Sequence, residues 1–386
     1  MKSEWRTVAL GSVADLTVGF VGTMASNYTE TGIPFLRSTN IEPFDIKLDD
    51  IKYISSNFNE SLRKSELHPN DVVIVRTGTP GACAVIPAGV KAWNCSDLVI
   101  VRPHRNKLNP LFLASYVNLA SGVINTQLVG AVQQHYNVGA AKKMQIPLPP
   151  IAEQDKIASI IGMLNKKITI NSKINDNLEQ QAAALFSSLY NRSNTEVRYT
   201  DLIQILGGGT PKTGETAYWN GNIAFFTPKD VGTPYTFITE KTITEEGLSH
   251  CNSRLYPVNT VFVTARGTVG KVGLSGVPMA MNQSCYALVG KETHQLLVYF
   301  YTLKAVDRLK HKASGAVFDA ITTRDFDSEQ IMKLSDDDAK AFLCVAEPMF
   351  QEMLNNSIEN LRLSTLRDFL LPKLMSGEID VSSVQL

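Results

Sequence analysis

A unit of about 190 residues occurs twice in this chain, and the repeat limits its possible folds more than any other feature. Ile33-Pro34-Phe35-Leu36-Arg37-Ser38-Thr39-Asn40-Ile41 returns in outline as Ile223-Ala224-Phe225-Phe226-Thr227-Pro228-Lys229-Asp230-Val231, an offset of 190 residues. Leu67–Val75 matches Leu255–Val263 at an offset of 188, and Asn94 and Ser96 match Asn282 and Ser284 at the same offset. A Gly-Thr-x-Gly turn stands in each copy, Gly78-Thr79-Pro80-Gly81 and Gly267-Thr268-Val269-Gly270. Gly130-Ala131-Val132 pairs with Gly315-Ala316-Val317 at 185. Matches in one order at nearly constant spacing point to a tandem duplication, which predicts one fold built twice.

Each copy has the same internal plan. Short β-branched and aromatic runs broken by Gly, Pro and Asn, such as Asp71–Val75, Leu98–Val101 and Thr260–Thr264, read as strands. Leu111–Leu119 and Leu296–Lys310 read as helices, which makes each copy an α/β unit. Ile146-Pro147-Leu148-Pro149-Pro150 is stiff and extended, because Pro lacks an N–H and biases its predecessor away from helix. A long helical pattern starts straight after it. Ile157, Leu164, Asn171, Leu178 and Leu185 recur every seven residues, each followed four residues later by Ile161, Ile168, Asn175, Ala182 and Leu189. That is a coiled-coil seam with two amides in its middle; about 38 residues of it span roughly 57 Å. A second apolar stripe runs from Phe342 to Leu370, with Pro372 and Gly377 expected to close it and Pro348 either starting or kinking its helix. The expected fold class is therefore two globular α/β units separated by two long antiparallel helices. Residues 1–150 and 196–335 are expected to be the globular parts, with helices and tail at 151–195 and 336–386.

Composition narrows the function. The chain has 386 residues with 37 basic and 37 acidic side chains, so bulk charge cannot hold it on a polyanion. Residues 336–386 carry nine acidic and four basic groups, a balance that suits a protein partner better than phosphate. The five cysteines show no CxxC spacing and read as buried free thiols, with no zinc or disulfide framework. There is no apolar run long enough for a membrane span, and Met1–Arg6 lacks a signal core, so a cytoplasmic protein is expected. Enzyme signatures are missing. Gly207-Gly208-Gly209-Thr210-Pro211-Lys212 lacks phosphate-loop spacing, Val272 follows Gly270-Lys271 where Ser or Thr would be needed, and the six histidines form no close pair. No catalytic or metal-binding residue is expected.

What remains are polar clusters in loops. Arg, Lys, Asn and Gln carry donors and acceptors that match base edges in the major groove. In the first copy these are Arg37-Ser38-Thr39-Asn40, Arg76-Thr77-Gly78-Thr79, Asn94-Cys95-Ser96 and Gln133-Gln134-His135-Tyr136-Asn137, the last followed by Lys142 and Lys143. In the second they are Thr227–Asp230, Thr264–Thr268, Asn282-Gln283-Ser284 and Thr322-Thr323-Arg324. A single polar loop is ordinarily just solvated. Clusters at corresponding strand ends of both copies, with different side chains, are what two readers of different sequences would show. Base contacts are expected from Arg37, Asn40, Arg76, Thr79, Gln133, Gln134 and Tyr136, and from Lys229, Arg266, Asn282, Gln283 and Arg324. Lys142 and Lys143 are expected on phosphate.

Two strings carry a family resemblance: Ile146-Pro147-Leu148-Pro149-Pro150-Ile151-Ala152-Glu153-Gln154, and Leu366-Arg367-Asp368-Phe369-Leu370-Leu371-Pro372-Lys373-Leu374-Met375-Ser376-Gly377-Glu378-Ile379. With them the whole chain resembles the specificity (S) subunit of type I restriction–modification enzymes. The second copy departs at Met332-Lys333-Leu334-Ser335-Asp336, where the Pro-rich lead and the Glu-Gln are missing. The resemblance implies two target recognition domains, each reading half of a split site in double-stranded DNA, on helical spacers that set the gap. It implies two methyltransferase and two restriction (motor and nuclease) subunits as partners. S-adenosylmethionine, ATP and Mg²⁺ would belong to those partners, with no cofactor in this chain. Read without it, the residues also admit a coiled-coil scaffold without DNA specificity, or a metal-dependent nuclease with scattered carboxylates.

Overall fold

The computed structural model describes residues 5–127, 137–232, 234–312 and 320–384. The chain forms two compact units, one made of Met1–Thr169 with Asn360–Leu386 and the other of Ile170–Glu359. Both are mixed α/β, and both use parts of two long helices, Ile151–Arg192 and Asp336–Met375.

In the first unit the central sheet has the order Cys83–Val85, Val72–Val75, Leu98–Pro103, Ala14–Val18, antiparallel throughout. Val72–Val75 and Leu98–Val101 are buried on both faces, which is why they read as continuous apolar runs and not as alternating ones. Beside it, Ile33–Leu36 runs parallel to Trp93–Cys95. The Pro-rich string is extended as expected: Gln145–Leu148 pairs antiparallel with Arg6–Ala9. One apolar core joins Phe112, Leu113 and Val117 of the helix Pro110–Gln127 to Ile157, Ile161, Leu371 and Leu374 of the two long helices.

Gln154 explains part of the string. It is fully buried, and its Nε2 donates to the Lys107 and Pro149 carbonyls at 2.9 Å while its Oε1 accepts from the Asn109 N–H at 2.9 Å. Asn109 in turn caps the helix Pro110–Gln127 through the Leu111 and Phe112 N–H groups. The second string lies beside the first, with Pro150, Glu153 and Lys156 lining one cleft with Ser376, Gly377 and Glu378. Arg367 donates to Asn165 at 3.0 Å and lies over the Phe44 ring. Gly377 has φ +66°, and a Cβ there would stand 3.3 Å from the Trp5 ring.

The second unit repeats the plan. Its sheet runs Ile203–Gly207, Cys285–Gly290, Val261–Thr264, Val272–Ser275, Tyr235–Thr236, and Trp219–Phe226 lies parallel to Met279–Met281. Thr195–Arg198 pairs with Gln330–Lys333 as Arg6–Ala9 does with Gln145–Leu148. The core centres on Phe186, whose ring lies 5.0 Å from Phe300, 5.4 Å from Phe342 and 5.5 Å from Tyr301. Here the two long helices run antiparallel, with Asn175 meeting Asn356 and Ser357 while Arg192 pairs with Asp338. The seam amides are matched: Asn171 donates to Glu359 at 2.7 Å and Asn175 to the Met353 carbonyl at 3.2 Å.

The structure corrects several expectations. The repeat register over the central strands is 189 and not 188, since Asn70 and Asn259 share φ values of 70° and 67° and Gly78 and Gly267 share 89° and 82°. Ser96, not Asn94, corresponds to Asn282: each donates its N–H to the last residue of the neighbouring parallel strand, Leu36 or Phe226. The second long helix begins at Asp336, capped by the Ser335 hydroxyl at 3.1 Å, so Pro348 lies inside it. Pro372 does not end that helix, which continues to Met375 before Gly377 turns the chain. Only Cys83, Cys95 and Cys285 are buried, and burial pushes all three thiols up, Cys285 to about 12. Cys251 is half-buried and Cys344 exposed. Among the described residues no helix is long and apolar enough to cross a membrane, and no cluster of metal-ligand type exists.

Candidate nucleic-acid interface

In the first unit three loops leave the sheets side by side. The parallel pair ends at Leu36 and Cys95, and the Ser96 N–H then donates to the Leu36 carbonyl at 3.0 Å. Val75 lies opposite Leu98 on the adjacent antiparallel pair. Arg37–Asn40, Arg76–Thr79 and Ser96-Asp97 therefore emerge together from one end of the unit. A salt bridge closes the group, with Arg76 Nη1 3.1 Å from Asp97 Oδ1.

The side chains in this group differ in how free they are. Asn40 is 2% exposed: its Oδ1 accepts from the Arg37 N–H at 3.0 Å and its Nδ2 donates to the Lys47 carbonyl at 3.0 Å. It closes a turn and has no amide edge left for a base, so the expectation for Asn40 is withdrawn. Arg37 is half-buried, with Nη2 2.9 Å from Asp50 Oδ2. The Lys52 and Arg37 cations hold the Asp50 carboxyl down at about 2, so this cluster stays charged at neutral pH. Thr79 is exposed and makes no side-chain hydrogen bond among the described residues. Gln133, Gln134 and Tyr136 lie outside the described residues. Lys142 and Lys143 are exposed on the short helix Val138–Lys143 and form no ion pair among the described residues. Among the described residues no side-chain bond connects them to the strand-end group.

The second unit assembles its loops through the same strand pairing, and one backbone link is common to both. Asn282 N–H donates to the Phe226 carbonyl at 3.0 Å, and the Ala265 and Arg266 N–H groups donate to the Ser284 carbonyl at 2.8 and 3.2 Å. Asp230 closes the Thr227 turn as Asn40 closes that of Arg37, accepting from the Thr227 N–H at 2.8 Å. Lys229 is exposed, 3.3 Å from Glu240. Arg266 is exposed without a side-chain partner among the described residues. Asn282 accepts from the Ser284 N–H at 3.0 Å, and the exposed Gln283 accepts from the Thr210 hydroxyl. Arg324 is placed apart from this group, lining a shallow depression of about 410 Å³ with Gln204, Lys291 and Asp327.

The group includes residues that the sequence did not single out: Asp50 and Asp97, which bind the two arginines, and Thr210 beside Gln283. In the true register Ala265 stands where Arg76 does, Ser284 where Asp97 does, and Thr227 where Arg37 does. One scaffold thus presents different chemistry in each copy.

Comparison with known proteins agrees with this duplicated plan. A specificity subunit of the type I restriction enzyme HindI from Haemophilus influenzae is 28% identical over 186 residues, 47% of this chain and 40% of that protein. The MjaIX specificity subunit of Methanocaldococcus jannaschii is 32% identical over 124 residues, 31% of this chain and 29% of that one. These two matches thus span less than half of each relative. A putative MjaX specificity subunit from the same organism is 22% identical over 345 residues, 80% of this chain and 78% of the other. The crystal structure of a type I restriction–modification S subunit from M. genitalium shares the fold with TM-score 0.58 and 14% identity, covering 96% of each chain. Residues 2–180 and 191–333 each match the type I restriction modification DNA specificity domain, and the chain belongs to that family.

Proposed function

We propose that this chain is the non-catalytic, sequence-reading subunit of a type I restriction–modification assembly, with one unit for each half of a split DNA target. The observation that carries this reading is the pair of strand-end groups: the same strand pairing in both copies, tipped with Arg37, Arg76 and Asp97 in one and Thr227, Ala265 and Ser284 in the other. Two equal scaffolds with different tips suit two different half-sites. In this reading residues 1–150 and 196–335 are the recognition domains, and the helical segments within 151–195 and 336–386 are spacers. Arg37, Arg76, Thr79, Lys229, Arg266, Asn282 and Gln283 supply base contacts, with Arg324, Lys142 and Lys143 on the flanks.

The partners in this reading are double-stranded DNA, two methyltransferase subunits and two restriction subunits. The outer helix surfaces suit protein docking, with Met163, Ile170 and Ile174 exposed on the first long helix. Of the acidic residues on the second, Glu359 is turned inward onto Asn171, and Asp338, Glu347 and Asp368 pair with Arg192, His294 and Arg367, which leaves Asp336, Asp337 and Glu352.

A protein with equal numbers of acids and bases gains little from bulk attraction to DNA, so each local phosphate contact should show in the salt dependence. Lys142→Ala is expected to weaken binding to all duplexes alike and to reduce the slope of log K against log salt by about one. Fluorescence anisotropy over a salt series, on the chain with its methyltransferase partner, measures this; an unchanged slope removes Lys142 from the phosphate contacts.

A further inference from the structure

We infer that Asp97 is a positioning residue for DNA recognition: by binding the Arg76 guanidinium and the Thr77 hydroxyl at once, it fixes how Arg76 meets a base acceptor in one half-site. The inference rests on the reading of Arg76 as a base contact and deepens it.

Arg76 is the first residue after the buried strand Val72–Val75, and Asp97 is the last before Leu98, which lies opposite Val75. Their side chains leave neighbouring strand ends and meet, with Nη1 3.1 Å from Oδ1. The second carboxylate oxygen of Asp97 accepts from the Thr77 hydroxyl, so one acid locks two consecutive residues of the loop. Nε and Nη1 of Arg76 are buried and make no hydrogen bond of good geometry, which leaves Asp97 as the group that neutralises this inner edge. The side chain as a whole keeps 17% of its surface in solvent. A free arginine has many rotamers to lose on binding. One held by a carboxylate has given up much of that before DNA arrives, and it presents its remaining donors in one direction.

The backbone supports the assignment. Asp97 has φ +53°, the left-handed region that few residues other than Gly, Asn and Asp adopt readily, and its N–H donates to the Phe20 carbonyl at 3.2 Å. A tightly tied residue at a strand end suits a role in placing a side chain. The second copy lacks the device, since Ala265 and Ser284 occupy the two positions. The effect of Asp97 should therefore be confined to the half-site of the first unit.

Asp97→Asn tests this cleanly. Asn tolerates the same left-handed backbone and keeps an acceptor for Thr77, while the charge that holds Arg76 is lost. The full chain, purified with its methyltransferase partner, is used to select duplexes from a pool of random sequence, which are then sequenced. The wild type should enrich a split motif. Asp97→Asn should cut the preference at one base pair of one half about tenfold, leaving the other half and the thermal midpoint unchanged. Arg76→Ala should relax the same base pair at least as much. If Asp97→Asn keeps the preference that Arg76→Ala loses, Asp97 does not position Arg76. If Asp97→Asn weakens both halves, its role is structural and the inference fails. If both variants keep the preference, Arg76 is not a base contact, and the reading beneath the inference fails with it.

Discussion

Phe186→Ala should cost the second unit about 3–5 kcal/mol, among the largest single losses available in this chain. The ring is 1% exposed and packs on Phe300, Tyr301, Phe342 and Tyr190 at centroid distances of 5.0 to 5.6 Å. It stands on the first long helix, while its neighbours come from the helix Gln295–Lys312, from the second long helix and from its own next turn. Truncation removes the transfer free energy of the ring and leaves a cavity among aromatic side chains that cannot collapse into it without breaking their own contacts. For a unit of this size the loss corresponds to a fall of roughly 10 °C in the melting temperature. Calorimetry on the full chain should show that fall in the transition assigned to the second unit; an unshifted transition would mean that the aromatic cluster does not carry that core.

Gln154→Leu should weaken the first unit by about 3 kcal/mol for a different reason. Leucine fills nearly the same volume, so little cavity forms. It leaves the half-buried Asn109 N–H, the Lys107 carbonyl and the buried Pro149 carbonyl without the amide that joined them. Each stranded group costs about 1–3 kcal/mol, and the Asn109 cap of the helix Pro110–Gln127 loses its tether. Limited proteolysis should detect early cleavage in the first unit while the second resists. Equal resistance in both would show that the link between strand, helix cap and long helix is dispensable.

These two sites show which levels of organisation are legible in the sequence. The repeat, the extended Pro-rich string and the two long helices follow from patterns that act locally, through backbone restriction and side-chain period, so the sequence displays them directly. Gln154 was visible as part of a family string, but its three partners lie 5 to 47 residues away and the string does not name them. Over the central strands the apolar match of Leu67 with Leu255 favours a register of 188, one short of the 189 that relates Asn70 to Asn259. It is the positive φ at both asparagines, visible only in the structure, that fixes the pairing.

The interface was legible as a region and less so residue by residue. Backbone pairing does bring the Arg37, Arg76 and Ser96 loops together, as placement at strand ends implies. Whether a polar side chain faces a base or its own backbone depends on a partner remote in sequence. Asn40 is occupied by Arg37 and Lys47, and Arg37 by Asp50 thirteen residues on. Thr77 meets Asp97 across twenty. Composition counts such residues alike, and only packing separates a turn-closing Asn40 from an exposed Thr79 or Arg266.

The central claim, that the two units read two halves of one split target, is tested most directly by mapping methylated adenine across the genome of cells expressing this chain with its methyltransferase partner. The account predicts a single motif with two short specified halves and a gap of fixed length, and with Arg76→Ala it predicts relaxation confined to one half. Methylation at a single continuous motif, or relaxation of both halves by the one substitution, would contradict it.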